Sequence, residues 1–226
     1  MSRDCVGTLV LVATPIGNLD DISPRALEAL RTADAVMAED TRRTGRFVPD
    51  HKRLYSCHDH NMPGRLPQIE EFLRQGATVA MASDAGTPGI SDPAYRAVGL
   101  AVAMNAVVTM IPGPSAVIMA LVVSGLPTDR FAFEGFLPFK QGKRRKRLET
   151  MAGYTGTLAF YVGPHHLSSV LDDMIAVLGD RRCCIAREMT KIHEEILRGT
   201  LSEMQEKYSS SVPKGEITLL LEGASV

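Results

Sequence analysis

Thr8-Leu9-Val10-Leu11-Val12-Ala13-Thr14-Pro15-Ile16-Gly17-Asn18 is a continuous apolar run that breaks into a turn of Pro, Gly and Asn. The run is too uniformly apolar for a strand with one wet face and too short for an independent helix, so it reads as a strand buried on both sides. The same grammar returns at residues 78–89, ending in Ser83-Asp84-Ala85-Gly86-Thr87-Pro88-Gly89, and at 107–116, ending in Pro112-Gly113-Pro114-Ser115-Ala116. Further runs at 35–38, 157–162, 183–186 and 217–221 complete a set of buried, largely parallel strands. Helical patterns fill the gaps. Ser23 caps a helix with Pro24 in its first turn and a stripe of Leu27, Leu30 and Ala33, and others are expected over 68–74, 93–104, 115–123 and 167–178. The alternation predicts an α/β protein whose helices cover its sheets. Pro112-Gly113-Pro114 interrupts it and predicts two domains, 1–112 and 113–226.

Bulk composition narrows the function. With 25 basic and 26 acidic residues among 226, any nucleic-acid binding must come from a local patch rather than a global field. That patch is Lys140, Lys143, Arg144, Arg145, Lys146 and Arg147, sharply localised in a balanced chain. Seven Phe, five Tyr and no Trp leave little material for stacking, so shape and phosphate contacts are expected to outweigh base stacking. Cys5, Cys57, Cys183 and Cys184 lack a C-x-x-C spacing, which points away from zinc and disulfides and toward a reducing cytosol. Residues 1–7 carry no apolar leader, and no run approaches the roughly 20 residues of a membrane span. A cytoplasmic protein without a membrane association is therefore expected.

The three Gly- and Pro-rich loops all leave the carboxyl ends of strands, the edge where ligands bind in open α/β sheets. Any one of them alone is an ordinary turn; three on one edge point to a pocket. None contains Lys or Arg, and none matches a P-loop or G-x-G-x-x-G, which disfavours a phosphate-rich cofactor. Backbone amides, the Thr87 and Ser115 hydroxyls and the Asp84 carboxylate suit a neutral nucleoside with a zwitterionic tail. Composition alone does not choose the ligand.

The loops, with Ala38-Glu39-Asp40-Thr41-Arg42, His58-Asp59-His60-Asn61, Gly125-Leu126-Pro127-Thr128-Asp129-Arg130-Phe131, Glu134-Gly135-Phe136-Leu137-Pro138, Ala186-Arg187-Glu188 and Lys214-Gly215-Glu216, span nearly the whole chain. Together they resemble the 16S rRNA cytidine 2′-O-methyltransferases, a branch of the tetrapyrrole-methylase-like superfamily. The resemblance implies two small α/β domains of the tetrapyrrole methylase type, S-adenosylmethionine in the interdomain cleft, and a homodimer acting on 16S rRNA or the 30S subunit. It implies cofactor contacts from Pro15, Ile16, Gly17, Asp84, Gly86, Thr87, Ser115, Ala116, Tyr161, Val162 and Ala186. The tetrapyrrole enzymes of the superfamily typically carry G-x-G-P-G and G-D-P in the first two loops, which Pro15-Ile16-Gly17-Asn18 and Ser83-Asp84-Ala85-Gly86 replace. Two departures stand out. The family usually has Tyr-Glu-Ser, then Pro or Thr, then His-Arg where this chain reads Tyr161-Val162-Gly163-Pro164-His165-His166, and many members continue beyond Glu222-Gly223 with a small further domain.

Methyl transfer to a ribose hydroxyl calls for positioning and for a group able to take a proton. Candidates are Glu39, Asp40, His58, Asp59, His60, Glu134 and Glu188, with Arg42 joining the basic segment as an RNA contact. Each has a plainer reading. Asp40 caps a helix, Glu134 pairs with Arg130 or Arg187, and His58-Asp59-His60-Asn61 is a hydrogen-bonded turn. His58 and His60 lack a third metal ligand, and no metal is expected. The rival functions are a tetrapyrrole methyltransferase and a non-catalytic rRNA-binding assembly factor.

Overall fold

Five strands build the first of the two units into which the chain divides, Met1–Ser115 and Ala116–Val226. The computed structural model describes residues 6–225, so Cys5 and the start of the 1–7 segment lie outside the described residues. Strands β1 (Thr8–Val12), β2 (Ala35–Ala38), β3 (Leu54–Ser56), β4 (Thr78–Ala82) and β5 (Val107–Ile111) lie in the order β3-β2-β4-β1-β5. Every neighbouring pair is parallel. Alternate residues serve two cores: Leu9, Leu11, Met37 and Met81 point to one face, Val10, Val12, Val36 and Ala80 to the other. Burial on both faces is why the runs of β1, β2 and β4 are continuously apolar. The run at 107–111, expected to be buried, is instead the half-exposed edge strand β5.

Helices α1 (Pro24–Thr32), α2 (Thr41–Thr44), α3 (Met62–Arg74) and α4 (Ala94–Ala103) complete this unit. Ser23 Oγ accepts from Ala26 N–H at 3.1 Å, as the sequence predicts. The inward stripe of α1 is Ala26 and Leu30 rather than Leu27, which is 39% exposed. Helix α3 begins at Met62, well before residue 68, because Met62, Ile69 and Leu73 share its buried face and Pro67 is accommodated inside it.

The second unit holds α5 (Ala116–Ser124), β6 (Phe131–Phe136), α6 (Gln141–Glu149), β7 (Thr157–Val162), α7 (Leu167–Leu178), β8 (Arg182–Arg187), β9 (Glu195–Thr200), α8 (Leu201–Tyr208) and β10 (Ile217–Leu221). Its sheet runs β6-β7-β10-β8-β9. Here the expectation of largely parallel strands fails. Only β6 and β7 pair in parallel, whereas β10 lies antiparallel between β7 and β8, and β9 is antiparallel to β8. An apolar run buried on both faces carries no record of its direction. Phe160, Ile185, Leu219 and Leu221 pack with Leu167, Leu171 and Met174 of α7 in the core of this unit.

Candidate functional site

A parallel sheet puts the carboxyl ends of β1 to β5 on one edge, and β4, β1 and β5 are adjacent there. The three loops that leave these strands are bonded to one another. Thr14 and Gly86 exchange backbone hydrogen bonds at 2.9 and 3.0 Å, and Thr14 Oγ1 donates to the Ser83 carbonyl at 3.1 Å. Thr87 Oγ1 donates to the Pro114 carbonyl at 3.0 Å, tying the second loop to the third. Gly86 has φ +83°, and a Cβ there would lie 3.2 Å from Ile16 Cγ2. A Cβ on Gly113 would come within 2.9 Å of the Ala13 Cβ. Both positions therefore require glycine, one for its left-handed backbone and one for close approach of two chains.

The loops after β2 and β4 grip each other reciprocally. Asp84 Oδ1 accepts from Asp40 N–H at 2.6 Å, and Asp84 N–H donates to Glu39 Oε2 at 3.2 Å. Arg43 Nε stands 3.9 Å from the other Asp84 oxygen. Burial raises the Glu39 carboxyl, as do the negative charges of Asp84, Asp92 and Asp59, while the Asp84 N–H works against them. Asp40 instead caps α2 and pairs with Arg42 at 2.6 Å, which holds its carboxyl at about 2. Arg42, expected to meet RNA, is thus bound to Asp40, although it stays exposed.

At the end of β3, His58 N–H donates to Asn61 Oδ1 at 2.8 Å, while its Nδ1 is buried with no hydrogen-bond partner. The His58 and His60 rings meet edge-on at 6.0 Å. Two residues were missed by sequence reasoning. Thr14 joins the first loop to the second, and Asp92 Oδ1 accepts from Gly89 N–H and Ala94 N–H at 2.7 and 2.8 Å, fixing the start of α4. The Asp92-Pro93 pair was the available signal, since Asp before Pro initiates turns. Among the described residues no group of three or more His, Cys, Asp or Glu could hold a metal ion.

In the second unit, the candidates sort differently. Glu134 is bound by Arg147 rather than by Arg130 or Arg187. Glu188, at φ +51°, is paired with Lys191 at 2.7 Å and accepts from Glu216 N–H at 2.9 Å, so its carboxylate organises the ends of β8 and β10. Val162 and Ala186 have buried side chains within β7 and β8, leaving only main-chain groups for a ligand. Tyr161 packs against Phe133, with ring centroids 4.8 Å apart. Arg144 is a correction: its guanidinium is buried on Asp173 at 2.6 Å and donates to main-chain oxygens, so it is withdrawn from the RNA-binding set. Arg145 pairs with the same carboxylate. Lys140, Lys143 and Lys146 remain exposed, with no ion pair among the described residues.

The tetrapyrrole (corrin/porphyrin) methylases match residues 8–205. Ribosomal RNA small subunit methyltransferase I of Halalkalibacterium halodurans is 46% identical over 224 residues, 98% of this chain and 78% of that protein. The chain belongs to the ribosomal RNA small subunit methyltransferase I family. The protein of that name from Thermotoga maritima is 44% identical over 222 residues, 96% of this chain and 99% of its own length. A member of the ribosomal RNA small subunit methyltransferase I family can therefore lack any large extension beyond the matched span. The solved structure of the methyltransferase CobJ superposes with a TM-score of 0.73 at 20% identity, over 96% of this chain and 95% of that one, which speaks for the fold. As a ribosomal RNA small subunit methyltransferase I family member, the protein is an S-adenosylmethionine-dependent methyltransferase. Its first unit suits that cofactor. The joined loops offer backbone groups and hydroxyls without Lys or Arg, beside an acidic group of Glu39, Asp84, Asp92 and Asp59 that favours a cationic sulfonium.

Proposed function

We propose that this methyltransferase modifies the ribose 2′-oxygen of a cytidine in the RNA of the small ribosomal subunit. The observation that carries the reading is the mutual bonding of the three loops at one sheet edge, free of basic side chains and flanked by carboxylates. Pro15, Ile16, Gly17, Gly86, Thr87, Ser115 and Ala116 would surround S-adenosylmethionine, which supplies a methyl group already activated for in-line displacement. Asp84 holds the loops after β2 and β4 in register through Asp40 and Glu39. Of the acid and histidine candidates, Asp40, Glu134 and Glu188 are committed to cationic partners. That leaves Glu39, His58, Asp59 and His60 to accept the 2′-hydroxyl proton, and of these Glu39 has a carboxyl raised by burial and bonded to the Asp84 N–H, while His58 has a buried, unpartnered Nδ1. We assign that role to Glu39. Lys140, Lys143 and Lys146 of the basic segment neutralise RNA phosphates. The same reading carries a cytoplasmic homodimer as the working species; no helix of the described residues is long and apolar enough to cross a membrane.

The test is incubation with labelled S-adenosylmethionine and unmethylated 30S subunits, followed by mapping of the modified nucleotide. Label on a ribose of the small-subunit RNA is the expected result. Cofactor binding without transfer, or label on a base, overturns the proposal.

A further inference from the structure

Two phenylalanines flank the entry to the basic helix, and both are exposed where core residues would be expected. Phe136, at the end of β6, is 62% exposed, and Phe139, just before Lys140, is 74% exposed, while Leu137 between them turns inward. Each has one ring against it and most of its surface in solvent. Phe136 tilts onto Tyr161 with centroids 5.6 Å apart, and Phe139 onto His166 at 4.9 Å. Tyr161 lies at the carboxyl end of β7, which runs parallel to β6, and His166 in the short turn that follows it, so both aromatic pairs stand at one end of the sheet. The position of Phe139 is fixed from beneath, because the buried Arg144 donates to its carbonyl at 2.9 Å.

The cations beside these rings are of one kind. Arg144 is buried on Asp173, and Arg145 and Arg147, though exposed, are paired with Asp173 and Glu134, which leaves Lys140, Lys143 and Lys146 as the solvent-facing cations of this segment without an ion pair among the described residues. Lys140 is the N-cap of α6, and Lys143 and Lys146 follow at three-residue spacing, so the three span about 9 Å along the helix axis. Lysine is a point charge that neutralises a phosphate without reading a base. Discrimination between paired and unpaired RNA must therefore come from the rings, whose faces are matched only by bases free of a duplex.

We propose that Phe136 and Phe139, with His166 behind the second ring, are a stacking platform for unpaired bases. The RNA strand lies along Lys140, Lys143 and Lys146. The inference rests on RNA being the substrate and adds that the bound segment is single-stranded. It adds stacking to the expectation, drawn from the scarcity of aromatic residues, that shape and phosphate contacts outweigh it: the number of rings is small, and two of the largest exposed ones stand beside the basic helix.

The test is fluorescence anisotropy of the full chain with a single-stranded RNA oligonucleotide, the same strand carrying abasic residues, and an RNA duplex. The protein should bind the intact strand more tightly than the abasic strand or the duplex. The double variant F136A/F139A should lose about tenfold affinity for the intact strand and none for the abasic one. K143A/K146A should weaken both single strands and reduce the slope of log K against log salt by about 1.4. F136L/F139L keeps apolar bulk without the aromatic face and should behave as the alanine variant; thermal melting confirms that each variant is folded. Equal binding of intact and abasic strands, or parental affinity in either double Phe variant, overturns the platform. Absence of methyl transfer to 30S subunits by the unaltered protein sinks the rRNA reading instead. Normal transfer with an unchanged KM for 30S subunits in F136A/F139A sinks the platform alone.

Discussion

Arg144 and Asp173 form an ion pair of 2.6 Å with both side chains sealed from solvent, joining α6 to α7 inside the second unit. Burial raises the Asp173 carboxyl, and hydrogen bonds from Arg145, Arg144 and Gln141 together outweigh it and bring it below its ordinary value. A pair of this kind stabilises only while both partners are present, since either charge left alone in the interior is costly. D173A and R144A should each lose about 3–5 kcal/mol in chemical denaturation, and R144M/D173L should recover most of it. The depressed Asp173 value gives the sign with pH. Its contribution is complete above the ordinary aspartate value of about 3.9 and is lost as pH falls through the lower folded value. Acid unfolding of D173N should lack that component.

Asp84 links two loops through one carboxylate, and its removal leaves the Asp40 N–H without its acceptor. D84A should weaken S-adenosylmethionine binding about ten- to hundredfold by calorimetric titration. D84N, which keeps an acceptor oxygen but loses the attraction of Arg43, should fall between. Unaltered affinity in D84A would move the cofactor away from this edge.

Gly86 tests the loop junction without altering charge. At φ +83° an alanine incurs about 1–2 kcal/mol of backbone strain and presses on Ile16. G86A should melt lower by the corresponding few degrees and bind the cofactor markedly more weakly. A loss of stability with normal binding would make the junction purely architectural.

The proton-acceptor assignment predicts a pH profile. With Glu39 raised by burial and by Asp84, Asp92 and Asp59, methyl transfer should fall as pH drops through a value above the ordinary glutamate range. E39Q should remove that limb and lower kcat about 10²- to 10⁴-fold, a far larger effect than the loss of cofactor affinity that follows from one missing negative charge. A profile retained in E39Q and lost in H58A would transfer the role to His58.

Much of the first unit was legible because the runs at 35–38 and 78–82 are buried on both faces and coincide with β2 and β4, while 107–111 coincides with β5 through its apolar composition alone, since that edge strand is half exposed. Strand β6 escaped notice because Gly135, at φ +63°, and a register shift between Phe133 and Phe136 break its pattern. Strand β9 is an edge strand, only half buried, and so carries no continuous apolar signal. The charge run of α6 was visible as a patch, but its division was not. Which of Lys143, Arg144, Arg145, Lys146 and Arg147 is left without an ion pair depends on Asp173 and Glu134, which are remote in sequence. The Asp84 grip was hidden for the same reason, because Glu39 and Asp84 are separated by 45 residues.

The position of β10 bears on how the molecule is made. It is the final strand of the second sheet in chain order, yet it fills the middle, pairing with β7 on one side and β8 on the other. Until residues 217–221 have left the ribosome, that sheet is two separate pieces with an open slot between them, while all five strands of the first sheet have long been available. Synthesis therefore delivers a nearly finished amino-terminal half tethered to a carboxyl-terminal half that cannot close, whose unpaired edges remain exposed to other chains for that interval.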